Sequence, residues 1–175
     1  MTDQALLAHE AGHVVGALLA GHRIKTVQIG ATKEVPRVSA LTTIDWEASS
    51  DIDLYAHLVS VLMGPMAAGE PPPEWPPSPN LENDEVADDV VVCRVVHLKL
   101  TKGDYRAALA IAAHWLDDPL VKSAIAQVAH ALGHAGELTD REVRDVLGRG
   151  CSRGSSWPTR RGRGSRATSR GQGGS

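Results

Sequence analysis

Apolar side chains recur every three to four residues over long stretches of this chain, which is the spacing that places them along one face of a helix. Helices are predicted over 3–20, 52–68, 104–116 and 120–132. Thr2 or Asp3 can cap the first of them, and Gly21 marks its end. Thr139 and Glu142 have the spacing of a capping box, which predicts one more short helix after residue 139.

Polar and apolar residues alternate over Arg23–Gly30, directly after the first helix, and this predicts a half-buried strand. A second strand is expected over Arg37–Ile44, so that a small antiparallel sheet lies beside the first helix. The acidic start of segment 81–98 favours a helix, whereas its valines also permit a strand from Val90 to Leu98. The predicted fold class is therefore mainly α with a small β-sheet (α+β).

Proline and glycine interrupt these patterns at three places. Gly64-Pro65 is expected to kink the second helix or to end it locally. Gly133 is expected to end the helix that starts at residue 120. Six prolines between residues 71 and 79 predict an extended, exposed loop over 71–80, which acts as a spacer rather than as a ligand for a proline-binding partner.

Composition divides the chain in two. Residues 149–175 contain seven arginines and no acidic residue among many glycines and serines, which predicts a disordered tail. Residues 1–148 carry eleven Lys and Arg against 21 Asp and Glu, a net charge of −10, and are apolar enough for one folded domain. The basic tail can bind nucleic acid, but the acidic domain would repel phosphates, so nucleic acid is not the expected main partner.

The cellular location follows from cysteine use and from hydropathy. Cys93 and Cys151 do not make a disulfide framework, which indicates a reducing compartment. The start of the chain lacks the basic segment of a signal peptide, and no run approaches the roughly 18 apolar residues of a membrane span. A cytoplasmic protein that does not enter a membrane is expected. The sequence is compatible with a homo-oligomer and does not fix its size.

The strongest chemical signal is His9-Glu10-Ala11-Gly12-His13. Residues four apart lie on one face of a helix, so His9 and His13 can direct ring nitrogens at one ion. Zinc binds such imidazoles readily, and a catalytic zinc has three protein ligands and one position for water. Glu10 lies on the adjoining side of the helix, where its carboxylate can take a proton from that water. The pattern therefore predicts a zinc site with Glu10 as the general base.

Three other histidines are expected to have no role in this chemistry. His130 and His134 are also four apart, but no acidic residue follows the first, and Gly133 is expected to end the helix between them. They are therefore expected to be surface histidines, with metal binding as the less favoured alternative. His57, in the second predicted helix, is expected to be partly exposed.

The order of these signals resembles the peptidase domain of FtsH-type zinc metalloproteases over residues 3–148. His9–His13 matches the family's His-Glu-Ala-Gly-His, and a small β region follows it. Gly64–Glu70 resembles a diverged form of the family's Gly-Gly-Arg-Ala-Ala-Glu-Glu stretch, and Asn83-Asp84 matches the segment that carries the third zinc ligand. Residues 136–143 are similar to the start of the family's closing capped helix.

This resemblance implies a zinc metallopeptidase in which His9, His13 and Asp84 bind the metal and Glu10 is the catalytic base. The proline-rich loop precedes Asp84 in this chain, so Asp88 and Glu70 are alternative third ligands. No Gly-x-x-x-x-Gly-Lys-Ser/Thr phosphate loop occurs, so an ATPase would have to act in trans. The expected substrates are unfolded or flexible polypeptides. The alternative function is a binding module, in which an idle peptidase-like domain recruits a protein or nucleic acid through its tail or proline-rich loop.

Overall fold

The predicted mainly helical architecture with a small antiparallel sheet is confirmed by a computed structural model of the protein, which describes residues 3–30, 40–45, 51–76 and 98–150. The elements within these residues are α1 (Asp3–Leu19), β1 (Arg23–Ile29), β2 (Ala40–Asp45), α2 (Asp51–Ala67), α3 (Lys102–Asp117), α4 (Pro119–Ala135), β3 (Glu137–Thr139) and α5 (Asp140–Gly150). No helix in this part of the chain is long and apolar enough to cross a membrane.

β1 is the central strand of the sheet, with β2 on one side and β3 on the other, and both neighbours are antiparallel to it. Val27 of β1 lies opposite Thr42 of β2 and Leu138 of β3. Val27 and Leu138 are buried in the core. β3 was not predicted, because three residues are too few to show an alternating pattern. β2 occupies an edge of the sheet formed by the described strands.

Glycines bring α1 and α2 close together. A β-carbon at Gly12 would lie 2.5 Å from the carbonyl oxygen of Met63, and one at Gly16 would lie 3.0 Å from the Cα of Ser60. Fully buried aliphatic side chains surround this contact, among them Val14, Val15, Leu58, Leu62 and Met63. The close packing fixes α1 against α2 and thereby determines what the polar residues of α1 can contact.

Two helices continue through a glycine at which an interruption or an end was predicted. α2 does not end at Gly64-Pro65 but continues through Pro65 to Ala67. α4 continues past Gly133 to Ala135 and ends at Gly136, whose φ of 77° is the left-handed conformation that favours glycine at a helix end. The prediction that Gly133 ends this helix was therefore wrong. Glycine favours a helix end where the backbone takes a positive φ, and in this segment that residue is Gly136.

The end of the described chain confirms one prediction and corrects another. Thr139 and Glu142 form the predicted capping box, since each backbone N–H donates to the other side chain. The helix that follows, α5, reaches Gly150. Residues 149 and 150 are therefore helical and are not part of a disordered tail. Residues 151–175, the predicted helix or strand over 81–97, and both cysteines lie outside the described residues.

The first part of the proline-rich loop is anchored to α3. Residues 71–76 form neither helix nor strand, as predicted. The Trp75 ring stacks on Tyr105, with ring centroids 4.8 Å apart and an interplanar angle of 16°. The Tyr105 hydroxyl donates a hydrogen bond to the backbone oxygen of Pro73. Pro72, Pro73 and Trp75 are half-buried, so the prediction of a fully exposed loop was wrong for these residues.

Candidate active site

The two histidines of the motif lie side by side on α1. The ring centroids of His9 and His13 are 4.8 Å apart and their planes meet at 74°. Two imidazoles that share one tetrahedral zinc, each with a Zn–N distance of about 2.0–2.1 Å, have ring centroids about 5 Å apart. Both side chains are sheltered, with 14% of the His9 side chain and 8% of His13 exposed. The pair therefore has the separation that a shared zinc ion requires.

His13 is oriented by the backbone of α2. Its Nδ1 lies 3.1 Å from the carbonyl oxygen of Ser60 in a buried contact. Because a carbonyl oxygen can only accept a hydrogen bond, the ring hydrogen must be on Nδ1. In the neutral ring Nε2 then carries the lone pair, which is the form in which an imidazole binds a metal ion. A backbone carbonyl bound to the second ring nitrogen is the usual outer partner of a metal-binding histidine.

Gly64 of α2 provides the space in which the His13 ring lies. A β-carbon at this position would be 2.2 Å from Cε1 and 2.3 Å from Nε2 of His13. Such distances are far below van der Waals contact, so the ring can occupy its position only because residue 64 has no side chain. The sequence gives Gly64-Pro65 the signature of a helix interruption, and its role beneath His13 was missed.

His9 has a carboxylate partner, Glu70, which follows the end of α2. The Nδ1 of His9 lies 3.3 Å from Oε2 of Glu70. A carboxylate on Nδ1 orients the ring and is a usual outer partner of a histidine that binds metal through Nε2. Gly69, with a φ of 76°, forms the turn that brings Glu70 to this position. This contact gives Glu70, one of the alternative third ligands predicted from the sequence, the position of an outer partner that orients His9.

Removing this partner is expected to weaken zinc binding without removing a ligand. For Glu70→Ala we expect the zinc affinity to fall by about 10–100-fold, the usual effect of losing an outer-shell partner. Competition with a chromogenic chelator measures this affinity. Glu74→Ala is the matched control, because Glu74 is exposed four residues further along the same segment. Equal zinc affinity in Glu70→Ala and wild type would contradict the role of Glu70 in orienting His9.

Glu10 directly follows His9 on α1, and the sheet holds its side chain. It is only 6% exposed. The hydroxyl of Thr42, on β2, donates to Oε2 of Glu10 at a distance of 2.5 Å. A buried carboxylate requires such a hydrogen bond, because its desolvation is otherwise costly. The contact with Thr42 joins residues 32 positions apart and was not visible in the sequence.

Two aspartates are predicted from the sequence as the third zinc ligand. Asp84 and Asp88, the two aspartates predicted for this role, lie outside the described residues. Within 3–30, 40–45, 51–76 and 98–150, no three metal-binding side chains come together in a group. The described part of the chain therefore supplies two imidazoles, their outer partners and a neighbouring carboxylate, and these fit zinc in donor type and spacing.

His57 is buried, and the prediction that it is partly exposed was wrong. Its exposure is 7%, because α2 packs against α1 on one side and against α3 on another. Its ring meets His22 edge to face with centroids 5.9 Å apart. Burial, together with the charges that His22 and His13 can carry, lowers the pKa of His57 from 6.5 to about 4. His57 is therefore neutral near pH 7.

This lowered pKa predicts a loss of stability in mild acid. In the unfolded chain His57 takes up a proton below its ordinary pKa of 6.5, whereas in the folded protein it does so only near pH 4. The free energy of unfolding is therefore expected to fall as the pH drops from 6.5 to 4, by at most about 3 kcal/mol from this residue. Urea unfolding across this range measures it. His57→Gln should flatten the dependence, whereas His114→Gln, an exposed control, should not; parallel curves for wild type and His57→Gln would contradict the prediction.

A cleft among the described residues lies elsewhere on α1. It has a volume of about 670 Å³ and is lined mainly by apolar residues of α1, α3 and α4 and of the end of α2, among them Leu7, Met66, Leu116, Ile125 and Ala129. None of His9, Glu10 and His13 lines it. Its titratable lining residues are Asp117, Lys122 and His130, so this cleft is separate from the histidine and glutamate site of α1.

The described site thus consists of His9 and His13, their partners Glu70 and Ser60, and the carboxylate of Glu10 on the same helix. These contacts connect α1 with α2 and β2. No family model matches the chain, and no curated protein matches it.

Proposed function

We propose that this protein is a zinc-dependent metallopeptidase that hydrolyses peptide bonds of unfolded or flexible polypeptides. The observation that carries the proposal is the buried carboxylate of Glu10, which follows His9 on α1, together with two imidazoles whose Nδ1 atoms are held by partners. A structural zinc site is closed by four protein ligands and has no use for a neighbouring base. A catalytic site needs one, and this difference favours an enzyme over a binding module.

In this proposal His9 and His13 hold the metal through Nε2. The resemblance to FtsH-type peptidases supports Asp84 as the third ligand, with Asp88 as the alternative. When bound, zinc supplies a Lewis acid that polarises the peptide carbonyl and lowers the pKa of a water molecule. Glu70 and the Ser60 carbonyl keep the two imidazole rings in the orientation that this binding needs.

Glu10 is the general base of the proposed reaction. Its carboxylate accepts a proton from the water molecule that attacks the scissile carbonyl carbon, and it then donates this proton to the departing amine nitrogen. The Thr42 hydroxyl donates to Oε2 and so fixes the orientation of the carboxylate that receives the proton. Glu10 is only 6% exposed, so its burial limits contact with bulk water and strengthens these interactions.

β2 supports a polypeptide substrate. It lies at an edge of the described sheet, and its Thr42 touches the proposed base. An extended peptide that adds to this edge as a further strand would therefore pass next to Glu10. Such pairing needs an unfolded or flexible segment, because the substrate backbone must be free to hydrogen-bond along its length.

We also propose a cytoplasmic location and a polypeptide as the main partner. The first is supported by the absence of a disulfide framework in a chain with two cysteines. An ATPase acting in trans would extend the substrate range to folded proteins. Nucleic acid can bind only through the basic residues after position 148, given the net charge of −10 before it.

Thr42 is expected to position Glu10 for catalysis. In Thr42→Val the carboxylate loses a hydrogen bond worth about 1.5–3 kcal/mol, so kcat should fall about tenfold or more while KM changes little. Steady-state kinetics with a peptide substrate measure both constants. Thr42→Ser keeps the hydroxyl and should retain most of kcat. If the serine and valine variants had the same kcat, a role of the hydroxyl would be excluded.

The function is tested by metal analysis together with proteolysis. Purified wild-type protein should contain zinc bound with high affinity and should cleave unfolded casein. Asp84→Ala should lose this zinc and Asp88→Ala should keep it; the reverse result would assign the third ligand to Asp88. A protein that binds zinc but cleaves no substrate in a broad peptide screen would refute the peptidase and favour the binding module.

A further inference from the structure

We propose that His130 and His134 form a second metal site, on the surface of α4, which binds one divalent transition-metal ion and prefers Cu²⁺ over Zn²⁺. This site is separate from the histidine pair of α1. The proposal does not depend on the peptidase function, because it rests only on the geometry of α4.

The first observation is the true end of α4. The sequence places a helix end at Gly133, which would separate the two histidines into different local structures. In the protein α4 continues to Ala135, and the residue with the helix-ending conformation is Gly136. His130 and His134 therefore both lie in the helix, one turn apart on the same face.

The second observation is the arrangement of the two rings. Their centroids are 4.5 Å apart and their planes meet at 81°. The corresponding values for His9 and His13 are 4.8 Å and 74°. The two pairs thus have nearly the same geometry, although one is buried in α1 and the other is exposed on α4. A pair of imidazoles in this arrangement can direct two nitrogen atoms at one ion.

The surroundings of the α4 pair determine its affinity for a metal ion. Both histidines are exposed, so an ion can reach them and keep its remaining positions for water. His134 lies in the last turn of α4, where the negative end of the helix dipole favours a cation. The buried pair, by contrast, has its Nδ1 atoms held by Glu70 and Ser60. Without comparable partners in the described contacts, the α4 pair should bind more weakly than the α1 pair.

The preference for Cu²⁺ follows from the donor set. Two imidazole nitrogens and water give no geometric selection against any divalent ion. Affinity then follows the general order in which Cu²⁺ exceeds Ni²⁺ and Zn²⁺. The α4 pair would therefore bind one ion per chain in addition to any ion bound by the α1 pair. Its affinity would be low for Zn²⁺ and higher for Cu²⁺.

The experiment measures Cu²⁺ and Zn²⁺ binding to the full chain by equilibrium dialysis, with electron paramagnetic resonance of the bound Cu²⁺. Wild type should show a Cu²⁺-binding step that belongs to this site. Its affinity should fall about tenfold or more in both His130→Ala and His134→Ala, since each variant removes a direct ligand. The nitrogen hyperfine pattern of this copper should correspond to two imidazoles in wild type and change in both variants. His114→Ala, which removes an exposed histidine of α3, should leave the step unchanged.

A relocation variant tests the spacing itself. His134→Ala combined with Ala126→His restores two histidines four positions apart, at an exposed position one turn before His130. Metal binding should return in this double variant. Failure of the relocated pair to bind would refute the explanation by helix spacing. Binding in His134→Ala that equals wild type in both stoichiometry and affinity would overturn the site altogether, whatever the α1 pair does.

Discussion

Replacing Glu10 with glutamine is expected to lower kcat for peptide hydrolysis by about 10²–10⁴-fold, the usual contribution of a general base, while zinc binding is retained. Glutamine has the same shape as glutamate, and its amide oxygen can still accept the hydrogen bond from Thr42. It cannot take a proton from water. Steady-state cleavage of an unfolded protein substrate, together with zinc analysis of the same sample, measures both quantities.

The combination of results in Glu10→Gln separates the two candidate functions. A peptidase loses activity and keeps its zinc, because His9 and His13 are untouched. Glu74→Gln is the matched control, since it makes the same change of charge at an exposed carboxylate and should leave kcat unchanged. Undiminished cleavage by Glu10→Gln would exclude Glu10 as the base and would point to a contaminating protease or to another catalytic group.

Gly64→Ala is expected to have the second largest effect, because it places a methyl group where the His13 ring lies. The new β-carbon would be 2.2 Å from Cε1 of His13. Either the ring or α2 must move, and overpacking of this kind costs about 1–3 kcal/mol of folding stability. If His13 is displaced, its contact with Ser60 is lost as well, and zinc affinity should fall by about 100-fold or more.

Two measurements and one control test this prediction. Urea unfolding in the presence of a chelator gives the stability of the metal-free protein, and zinc competition gives the affinity of the folded protein. Gly148→Ala is the matched control, since a β-carbon there meets no atom within 4 Å. It should stabilise α5 by about 0.5–1 kcal/mol and leave zinc affinity unchanged. A Gly64→Ala protein with wild-type zinc affinity would show that His13 does not need its position above Gly64.

The sequence predicted the parts of this protein that depend on local interactions. The apolar spacing located α1, α2, α3 and the start of α4, because a helix buries one face whatever its neighbours are. The alternation of polar and apolar residues over Arg23–Gly30 located β1, because successive side chains of a strand point to opposite faces of the sheet. The proximity of His9 and His13 was also predictable from the sequence, because side chains four positions apart in a helix are neighbours on one face.

Errors arose where a local signal competed with packing. Gly133 and Gly64 are both helix breakers by propensity, yet both are helical, since tertiary contacts of α4 and α2 outweigh a cost of about 1 kcal/mol per glycine. His57 was expected at the surface because a histidine is polar. Its burial depends on the presence of two neighbouring helices, α1 and α3, which the sequence of α2 does not reveal.

The sequence by itself thus determined the helices, the central strand and the pairing of the two motif histidines, all of which follow from neighbours along the chain. Only the tertiary structure decided which groups surround them. His9 meets Glu70 across 61 residues, and His13 meets Ser60 across 47. Thr42 reaches Glu10 from another element of the fold. Contacts of this kind depend on how helices and strands pack against each other, and the short-range periodicity of a single sequence carries no information about that packing.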